Sequence, residues 1–253
     1  MKKPLPIKRN ILNSLLLVYI LFMSMHIQAQ NAPEKDVINT SEGPAEITFI
    51  GHGSLMIVYQ GKVVHVDPFS QLADYPVLPK ADLILITHEH GDHLDLKAVK
   101  AIKKDNTQIL YNEKCANSLP GGKVMHNGDN QLSGPFKIEA VPAYNLENGP
   151  EEGMVYHAKG VGNGYILTLG DKRVYIAGDT ENTPEMKSLK NIDIAFLPMN
   201  LPYTMTPEMV ADAVNAFKPK ILYPYHYGQT DTQKLLDLLK DQKETEIRIR
   251  KMK

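Results

Sequence analysis

Tryptophan is absent from this chain, and cysteine is represented by Cys115 alone among 253 residues. A single cysteine excludes a disulfide within the chain, and a domain of this length can bury a sizeable core without one. Because tryptophan is missing, the aromatic part of that core depends on 12 Tyr and 6 Phe. Apolar residues make up 43% and charged residues 23%, which is typical of a globular protein.

The first 29 residues have the order of a secretory signal peptide. Four basic residues precede an apolar stretch at 11–25, and a small residue, Ala29, follows at the expected cleavage position. We therefore predict export to the periplasm or the extracellular space, with cleavage after Ala29 or one residue later. The apolar stretch is shorter than a membrane span of about 20 residues, but an uncleaved anchor is the alternative. No cysteine lies at the cleavage site, which argues against a lipoprotein.

Basic residues are in the minority once the predicted signal peptide is removed. Residues 30–253 contain 24 basic and 29 acidic residues, a net charge of −5. Nucleic-acid binding needs a clustered basic surface, so we expect no nucleic-acid partner and, after cleavage, no stable membrane contact. Residues 30–44 are polar and include two Pro and one Gly. They predict a flexible leader, followed by one domain at residues 45–253.

Short apolar runs that end in polar residues recur along this domain and predict layers of strands and helices. Residues 83–86 are fully apolar, as in a strand buried on both faces. Two runs flanking residues 60–62 indicate a hairpin. Thr206 and Pro207 suit the start of a helix that extends to Phe217. Three later apolar runs, at 174–177, 194–197 and 221–225, end before Asp179, Asn200 and His226 respectively.

The stretch 144–164 lacks apolar periodicity and contains five glycines. A loop of this length in a compact domain is usually functional or disordered. We expect it to arch over a functional site.

Residues 88–93, His-Glu-His-Gly-Asp-His, combine three histidines and two acids in six positions. Alternate residues of an extended loop project to the same side, so His88 and His90 can hold one cation together. Gly91 lets the backbone turn, so that Asp92 and His93 can face a second cation. Imidazole and carboxylate groups are ligands of zinc, iron and manganese. The segment therefore predicts a metal site directly after a buried strand.

Thr87–His93 resembles the H-x-H-x-D-H signature of the metallo-β-lactamase superfamily, and the resemblance extends over about residues 45–250. It implies an α/β fold, a four-layer αββα sandwich with its ligands at one rim. The branch it resembles contains L-ascorbate-6-phosphate lactonase and many uncharacterised metal-dependent hydrolases. The other matching segments, in chain order, are Gly51-His52-Gly53-Ser54, Asp67-Pro68, Pro142-Ala143-Tyr144-Asn145, Gly178-Asp179-Thr180, Tyr203-Thr204-Met205 and Pro224-Tyr225-His226-Tyr227-Gly228.

The resemblance also implies a ligand set for two divalent metal ions, zinc first, with manganese or iron as alternatives. Asp179 would bridge the two ions. Taken alone, Gly178-Asp179-Thr180 is equally compatible with a surface turn, and His226 with a packed histidine at a strand end. The segment around His157 departs from the usual His-Pro-Lys pattern. The implied ligands are His88, His90 and His157 for the first ion, and Asp92, His93 and His226 for the second.

Further residues are candidates for roles around the ions. Asp67 resembles an acid that orients a metal-bound histidine, or it belongs to a simple Asp-Pro turn. His52 resembles a residue that faces the site, or it is a turn histidine. Tyr203 and Thr204 are candidates for hydrogen bonds to substrate, or they belong to the loop before the 206–217 helix. Asp92 is both a ligand and a candidate proton acceptor.

Two neighbouring ions can acidify a shared water and polarise a substrate oxygen, so we expect a hydrolase of a small ester, lactone or phosphoester. A phosphodiesterase acting on lipid or nucleotide is one alternative, and a non-catalytic metal-binding scaffold is another. The oxygen-reducing di-iron relatives carry H-x-E-x-D, whereas this chain has His90 at that position. True metallo-β-lactamases usually do without a bridging acid such as Asp179. His65 and His126 have no matching role and are interpreted as a strand residue and an exposed turn residue.

Overall fold

The computed structural model describes residues 33–253, in which fourteen strands form two seven-stranded sheets. Strands follow one another in chain order within each sheet, and the first sheet is complete before the second begins. The first sheet consists of β1 (Glu34–Thr40), β2 (Gly43–Gly51), β3 (Ser54–Tyr59), β4 (Lys62–Val66), β5 (Leu83–Leu85), β6 (Gln108–Tyr111) and β7 (Lys123–Val124). The second consists of β8 (Asn130–Ser133), β9 (Phe136–Ala143), β10 (Gly162–Leu169), β11 (Lys172–Ile176), β12 (Ile194–Pro198), β13 (Ile221–Tyr225) and β14 (Glu246–Ile247).

Both sheets have the same mixed pattern of pairing. The first four strands of each sheet pair antiparallel, and the strands from the fourth to the seventh pair parallel. Parallel neighbours end at the same edge of a sheet. The loops after β4 and β5, and those after β11 and β13, therefore leave from corresponding edges of the two sheets.

The inner faces of the sheets share one hydrophobic core. Phe49 of the first sheet contacts Phe196 and Tyr223 of the second, with ring centroids 6.2 and 4.9 Å apart. A second cluster, which includes Ile84 and Val99, lies between the other face of the first sheet and a helix. The observed architecture is the expected α/β metallo-β-lactamase fold, with two mixed sheets packed as a sandwich.

Four α-helices are present within residues 33–253: α1 (Leu96–Ile102), α2 (Pro184–Lys187), α3 (Pro207–Phe217) and α4 (Thr232–Leu238). The prediction for α3 is confirmed, because Thr206 accepts a hydrogen bond from the Met209 N–H and Pro207 occupies the first turn. Phe217 packs edge-on against Tyr175 of β11, which places α3 on the second sheet. Two 3-10 turns, Tyr75–Val77 and Glu113–Asn117, complete the helical content. No helix of residues 33–253 is long and apolar enough to cross a membrane.

The prediction of a flexible leader through residue 44 is wrong for residues 34–44. Glu34–Thr40 forms β1, which pairs with β2 along its whole length and buries Ile38. Asp36 accepts two hydrogen bonds of 2.7 and 2.8 Å from Arg250, and one from the Tyr223 hydroxyl. β1 is an edge strand with a single buried position, so its composition resembles that of a flexible leader. The residues that hold it, Tyr223 and Arg250, lie far away in the sequence, and local patterns therefore do not predict it. The predicted signal peptide lies outside the described residues.

The predicted long loop is shorter than the sequence suggested. β9 ends at Ala143 and β10 begins at Gly162, so residues 144–161 contain neither helix nor strand. Gly164 belongs to β10, where a Cβ atom would lie 2.9 Å from the Ala177 carbonyl oxygen. Glycine at this position permits the close approach of two strands, although in sequence it reads as a loop residue.

Candidate metal site

The seven predicted ligands converge at one rim of the sandwich. The loop after β5 carries four of them, the 144–161 loop carries His157, and the ends of β11 and β13 are followed by Asp179 and His226. The ligand atoms of His88, His90 and His157 lie within 4.8 Å of one another. The same limit holds for a second group of His52, Asp92, His93 and His226. These groups match the two predicted sets, except that His52 joins the second.

Asp179 lies between the two groups. Its Oδ1 is 3.5 Å from His93 Nε2, and its Oδ2 is 3.5 Å from His226 Nε2. The same Oδ2 is 3.6 Å from His157 Nε2 and 4.0 Å from His88 Nε2. A single buried carboxylate therefore faces ring nitrogens of both groups.

Several polar atoms that converge in this cluster have no hydrogen-bond partner within residues 33–253. They are His93 Nε2, His226 Nε2 and Asp179 Oδ1, and all three are buried. Leaving such atoms unpaired is costly, so a buried group of this kind calls for an explanation. A bound cation satisfies all three, since imidazole nitrogen and carboxylate oxygen are its natural ligands. The donor set therefore fits a metal ion.

Asp67 orients two of the histidines from behind the cluster. Its Oδ2 accepts hydrogen bonds from His93 Nδ1 (2.8 Å) and from the Thr87 hydroxyl (2.7 Å), and its Oδ1 accepts from the Thr87 N–H. Because the hydroxyl hydrogen of Thr87 points to Asp67, its oxygen accepts from His88 Nδ1 at 3.0 Å. Nδ1 of both rings thus carries a hydrogen, which leaves Nε2 of each ring as the nitrogen that faces the cluster.

Burial and neighbouring charges shift the pKa values of the cluster residues, and the direction differs from one residue to another. Burial lowers the pKa of His88 well below its usual value and lowers the pKa of His157 to about 4. Burial opposes the charged form of His93 too, but Asp179 and Asp67 outweigh it and raise its pKa well above the usual value. Burial would raise the pKa of Asp179, but His226 and His93 outweigh it and hold that pKa well below its usual value. A cation that binds here must displace the proton of His93, so metal binding is coupled to pH.

His52 lies at the mouth of the site in a left-handed turn, with φ of 50°. Its Nε2 is 2.9 Å from Asp92 Oδ2, and its ring centroid is 3.6 Å from that of His226. Its carbonyl accepts from the His226 N–H, and its own N–H donates to the Lys253 carbonyl. A Cβ on the following residue, Gly53, would lie 2.9 Å from His93 Cε1. His52 is therefore a turn residue that also faces the site.

The other candidates separate into rim and framework residues. Tyr203 is 45% exposed, and its ring lies 5.0 Å from that of Tyr156, a residue of the 144–161 loop. Thr204 is buried, and its hydroxyl is engaged by the backbone of Asn200, so it is not free for a substrate. His65 is buried on β4 against the Pro79 carbonyl, and His126 is an exposed turn residue. Neither belongs to the cluster.

Two residues that hold the site were missed by sequence reasoning. Asn145 appeared only as part of a matching segment, and Glu181 was not singled out. Glu181 is buried and contacts the backbone of the 144–161 loop. Nothing in the local sequence distinguishes this glutamate from a surface one, since its partners lie more than thirty positions away.

Comparison with known proteins identifies the family. The β-lactamase superfamily domain matches residues 46–226. A "UPF0173 metal-dependent hydrolase" of Desulforamulus reducens is 32% identical over 196 residues, covering 72% of this chain and 84% of that protein. A similar hydrolase of Lysinibacillus sphaericus is 34% identical over 212 residues, covering 78% of this chain and 93% of that protein.

A solved structure extends this likeness. The crystal structure of a candidate metal-dependent hydrolase from Parabacteroides distasonis is 54% identical and has a TM-score of 0.83, covering 87% of this chain and all of that one. The chain therefore belongs to the metallo-β-lactamase superfamily, as a metal-dependent hydrolase.

Proposed function

We propose that this protein is an exported two-metal hydrolase of a small ester, lactone or phosphoester. The observation that carries the proposal is the position of Asp179, whose Oδ1 faces His93 and whose Oδ2 faces His226, His157 and His88. A carboxylate that faces ring nitrogens of both groups suits a bridging ligand. Two ions held here would acidify a shared water and stabilise charge on a substrate oxygen.

The ligand assignment follows the two groups. His88, His90 and His157 would hold the first ion, and Asp92, His93 and His226 the second. Nitrogen and oxygen ligands without sulfur suit zinc first, with manganese and iron as alternatives. The buried unpaired atoms support an occupied metal site. The complete set of seven predicted ligands favours an enzyme over a non-catalytic metal-binding scaffold, which has no need to keep every ligand.

The partly exposed residues of the rim would serve the reaction. Asp92 Oδ2 lies 3.6 Å from His226 Nε2 and 2.9 Å from His52 Nε2. Asp92 is thus placed to ligate an ion and to take a proton, and His52 to pass that proton on. The Tyr203 side chain is exposed and packs against Tyr156 of the loop that carries His157, and it is the candidate for contact with substrate.

The finer assignments rest on sequence patterns. Export rests on the order of basic, apolar and small residues at 1–29. The choice of a small ester, lactone or phosphoester rests on the chemistry of a two-metal site, which polarises a carbonyl or phosphoryl oxygen. The absence of a basic excess in residues 30–253 favours a small substrate over nucleic acid.

Metal analysis combined with a substrate screen tests the proposal. Zinc, manganese and iron are quantified in the purified protein, and hydrolysis of chromogenic esters, lactones and phosphodiesters is compared before and after chelation and metal re-addition. We expect two ions per chain, loss of activity on chelation and recovery with metal. Hydrolysis that persists at full rate in a chain stripped of metal would falsify the two-metal reaction.

A further inference from the structure

Glu181 is a buried carboxylate that binds the backbone of the 144–161 loop. It is 1% exposed. It accepts hydrogen bonds from the N–H groups of Leu146 (3.1 Å), Glu147 (3.3 Å) and Asn148 (2.7 Å). Its hydrogen-bond partners are amide N–H groups rather than basic side chains, so its charge is balanced by oriented amides. Such a carboxylate fixes the conformation of the loop that donates to it.

Glu181 also fixes the orientation of the Asn145 side chain. The Asn145 amide nitrogen donates to Glu181 Oε1 at 3.1 Å and to the Tyr203 carbonyl at 2.9 Å. Both partners can only accept, so the NH₂ group must point to them. The amide oxygen of Asn145 therefore points the opposite way, toward His157.

The Asn145 oxygen in turn determines which nitrogen of His157 carries the hydrogen. It contacts His157 Nδ1, and since an amide oxygen only accepts, Nδ1 must be the donor. His157 Nε2 then carries a lone pair, and it lies 3.6 Å from Asp179 Oδ2 and 3.3 Å from His90 Nδ1. The chain of hydrogen bonds from Glu181 to Asn145 to His157 thus prepares His157 to bind a cation.

We propose that Glu181 is a positioning residue that acts through Asn145 to hold His157 as a ligand of the first ion. The proposal rests on the assignment of His157 in the proposed function. Glu181 follows Asp179 by two positions, so one short segment supplies the bridging carboxylate and the anchor of the loop opposite it. Backbone contacts strengthen this link, because the Glu181 N–H donates to the Tyr144 carbonyl at 3.0 Å.

Stepwise zinc affinities of the metal-free protein test the proposal, measured in competition with a chromophoric chelator. Glu181→Gln places an NH₂ group against backbone donors and removes the charge. We expect one of the two affinities to fall about 10–100-fold, the usual effect of removing a partner that orients a metal-bound histidine. Glu185→Gln is the matched control, since Glu185 also binds this loop, through Lys159 and the Tyr144 hydroxyl, but does not contact Asn145.

A second variant is needed because Glu181→Gln alone could lower zinc affinity simply by unfolding the protein. Asn145→Ala removes the link to His157 but leaves the three backbone hydrogen bonds of Glu181. We expect it to weaken the same zinc-binding step by a similar factor. If Glu181 only supports the loop, Glu181→Gln should add a further loss of affinity in the Asn145→Ala background. If it acts through Asn145, no further loss is expected.

A double-mutant cycle separates this role from general destabilisation. If Glu181 acts through His157, Glu181→Gln causes no further loss of zinc affinity in a His157→Ala background. Additive losses would overturn the proposal, as would affinities in Glu181→Gln and Asn145→Ala equal to those of Glu185→Gln. If His157→Ala itself leaves both affinities unchanged, the ligand assignment in the proposed function fails, which is a distinguishable result.

Discussion

The two sheets supply the metal cluster in different ways. The first sheet supplies four predicted ligands, His88, His90, Asp92 and His93, from one six-residue segment of the loop after β5. The second sheet supplies three, each from a different segment, and they come together only when β9 to β13 are assembled. Burial differs as well, since His90 is exposed and Asp92 partly exposed, whereas the three ligands of the second sheet are all buried.

This difference separates two tasks within the site. The compact loop can present several ligands because its residues are neighbours in the chain. The dispersed ligands determine how the two groups are held relative to each other, since they approach from the opposite sheet. Each side has its own anchor, Asp67 behind the first and Glu181 behind the second.

Asp179→Asn removes the central ligand supplied by the second sheet and should have the largest effect on metal binding and turnover. Asparagine keeps the shape but loses the charge and much of the capacity to bridge. We expect loss of one ion and a fall in turnover of several orders of magnitude, because the metal-activated nucleophile is lost. His126→Ala, at an exposed turn outside the cluster, should leave both unchanged. Metal stoichiometry and turnover are compared side by side, and two ions with normal turnover in Asp179→Asn would refute the bridging role.

Asp67→Asn tests the anchor of the first sheet and should have an intermediate effect. An amide NH₂ facing His93 Nδ1 and the Thr87 hydroxyl favours the tautomer in which His93 Nε2 carries the hydrogen. Because Asp67 also orients His88 through Thr87, we expect both stepwise zinc affinities to weaken, by about 10–100-fold. Glu181→Gln should weaken only one. If Asp67→Asn weakens only one of the two stepwise zinc affinities, the proposed difference between the two anchors is contradicted.

Asp36→Asn should have the smallest effect, on stability rather than on metal binding. Burial would raise the pKa of Asp36, but hydrogen bonds from Tyr223 and Arg250 outweigh it and lower the pKa below 3.8. A lowered folded-state pKa contributes stability that is present above pH 3.8 and is lost as the pH falls through the folded-state value. We expect Asp36→Asn to reduce the free energy of unfolding by about 1–3 kcal/mol at pH 7.

Denaturant unfolding at pH 7 and at successively lower pH measures this contribution. The difference between wild type and Asp36→Asn should shrink as the pH falls below 3.8. Glu46→Gln is the matched control, because its exposed ion pair with Lys35 also involves β1 and should contribute less than about 1 kcal/mol. A pH-independent difference for Asp36→Asn would show that its charge is not responsible.

Local patterns predicted part of the regular structure. The helix at Pro207–Phe217 follows from its cap and apolar stripe, and β5 follows from a fully apolar run. Local patterns failed to predict elements that are stabilised by contacts with residues far away in the sequence. β1 was missed because its single buried position, Ile38, and its partner Arg250 lie in different parts of the chain, and the first residues of β10 because their glycines serve strand packing.

By itself, the sequence determined several strands, the helix at Pro207–Phe217 and the ligand-rich segment at 88–93, because each depends on residues close together in the chain. The superfamily resemblance extended this to His157, Asp179 and His226. Only the tertiary structure decided that Asp179 faces both groups and that His52 joins the second. It also revealed that Glu181 and Asn145 orient His157. These features depend on hydrogen bonds and close approaches between segments far apart in sequence, which no local pattern encodes.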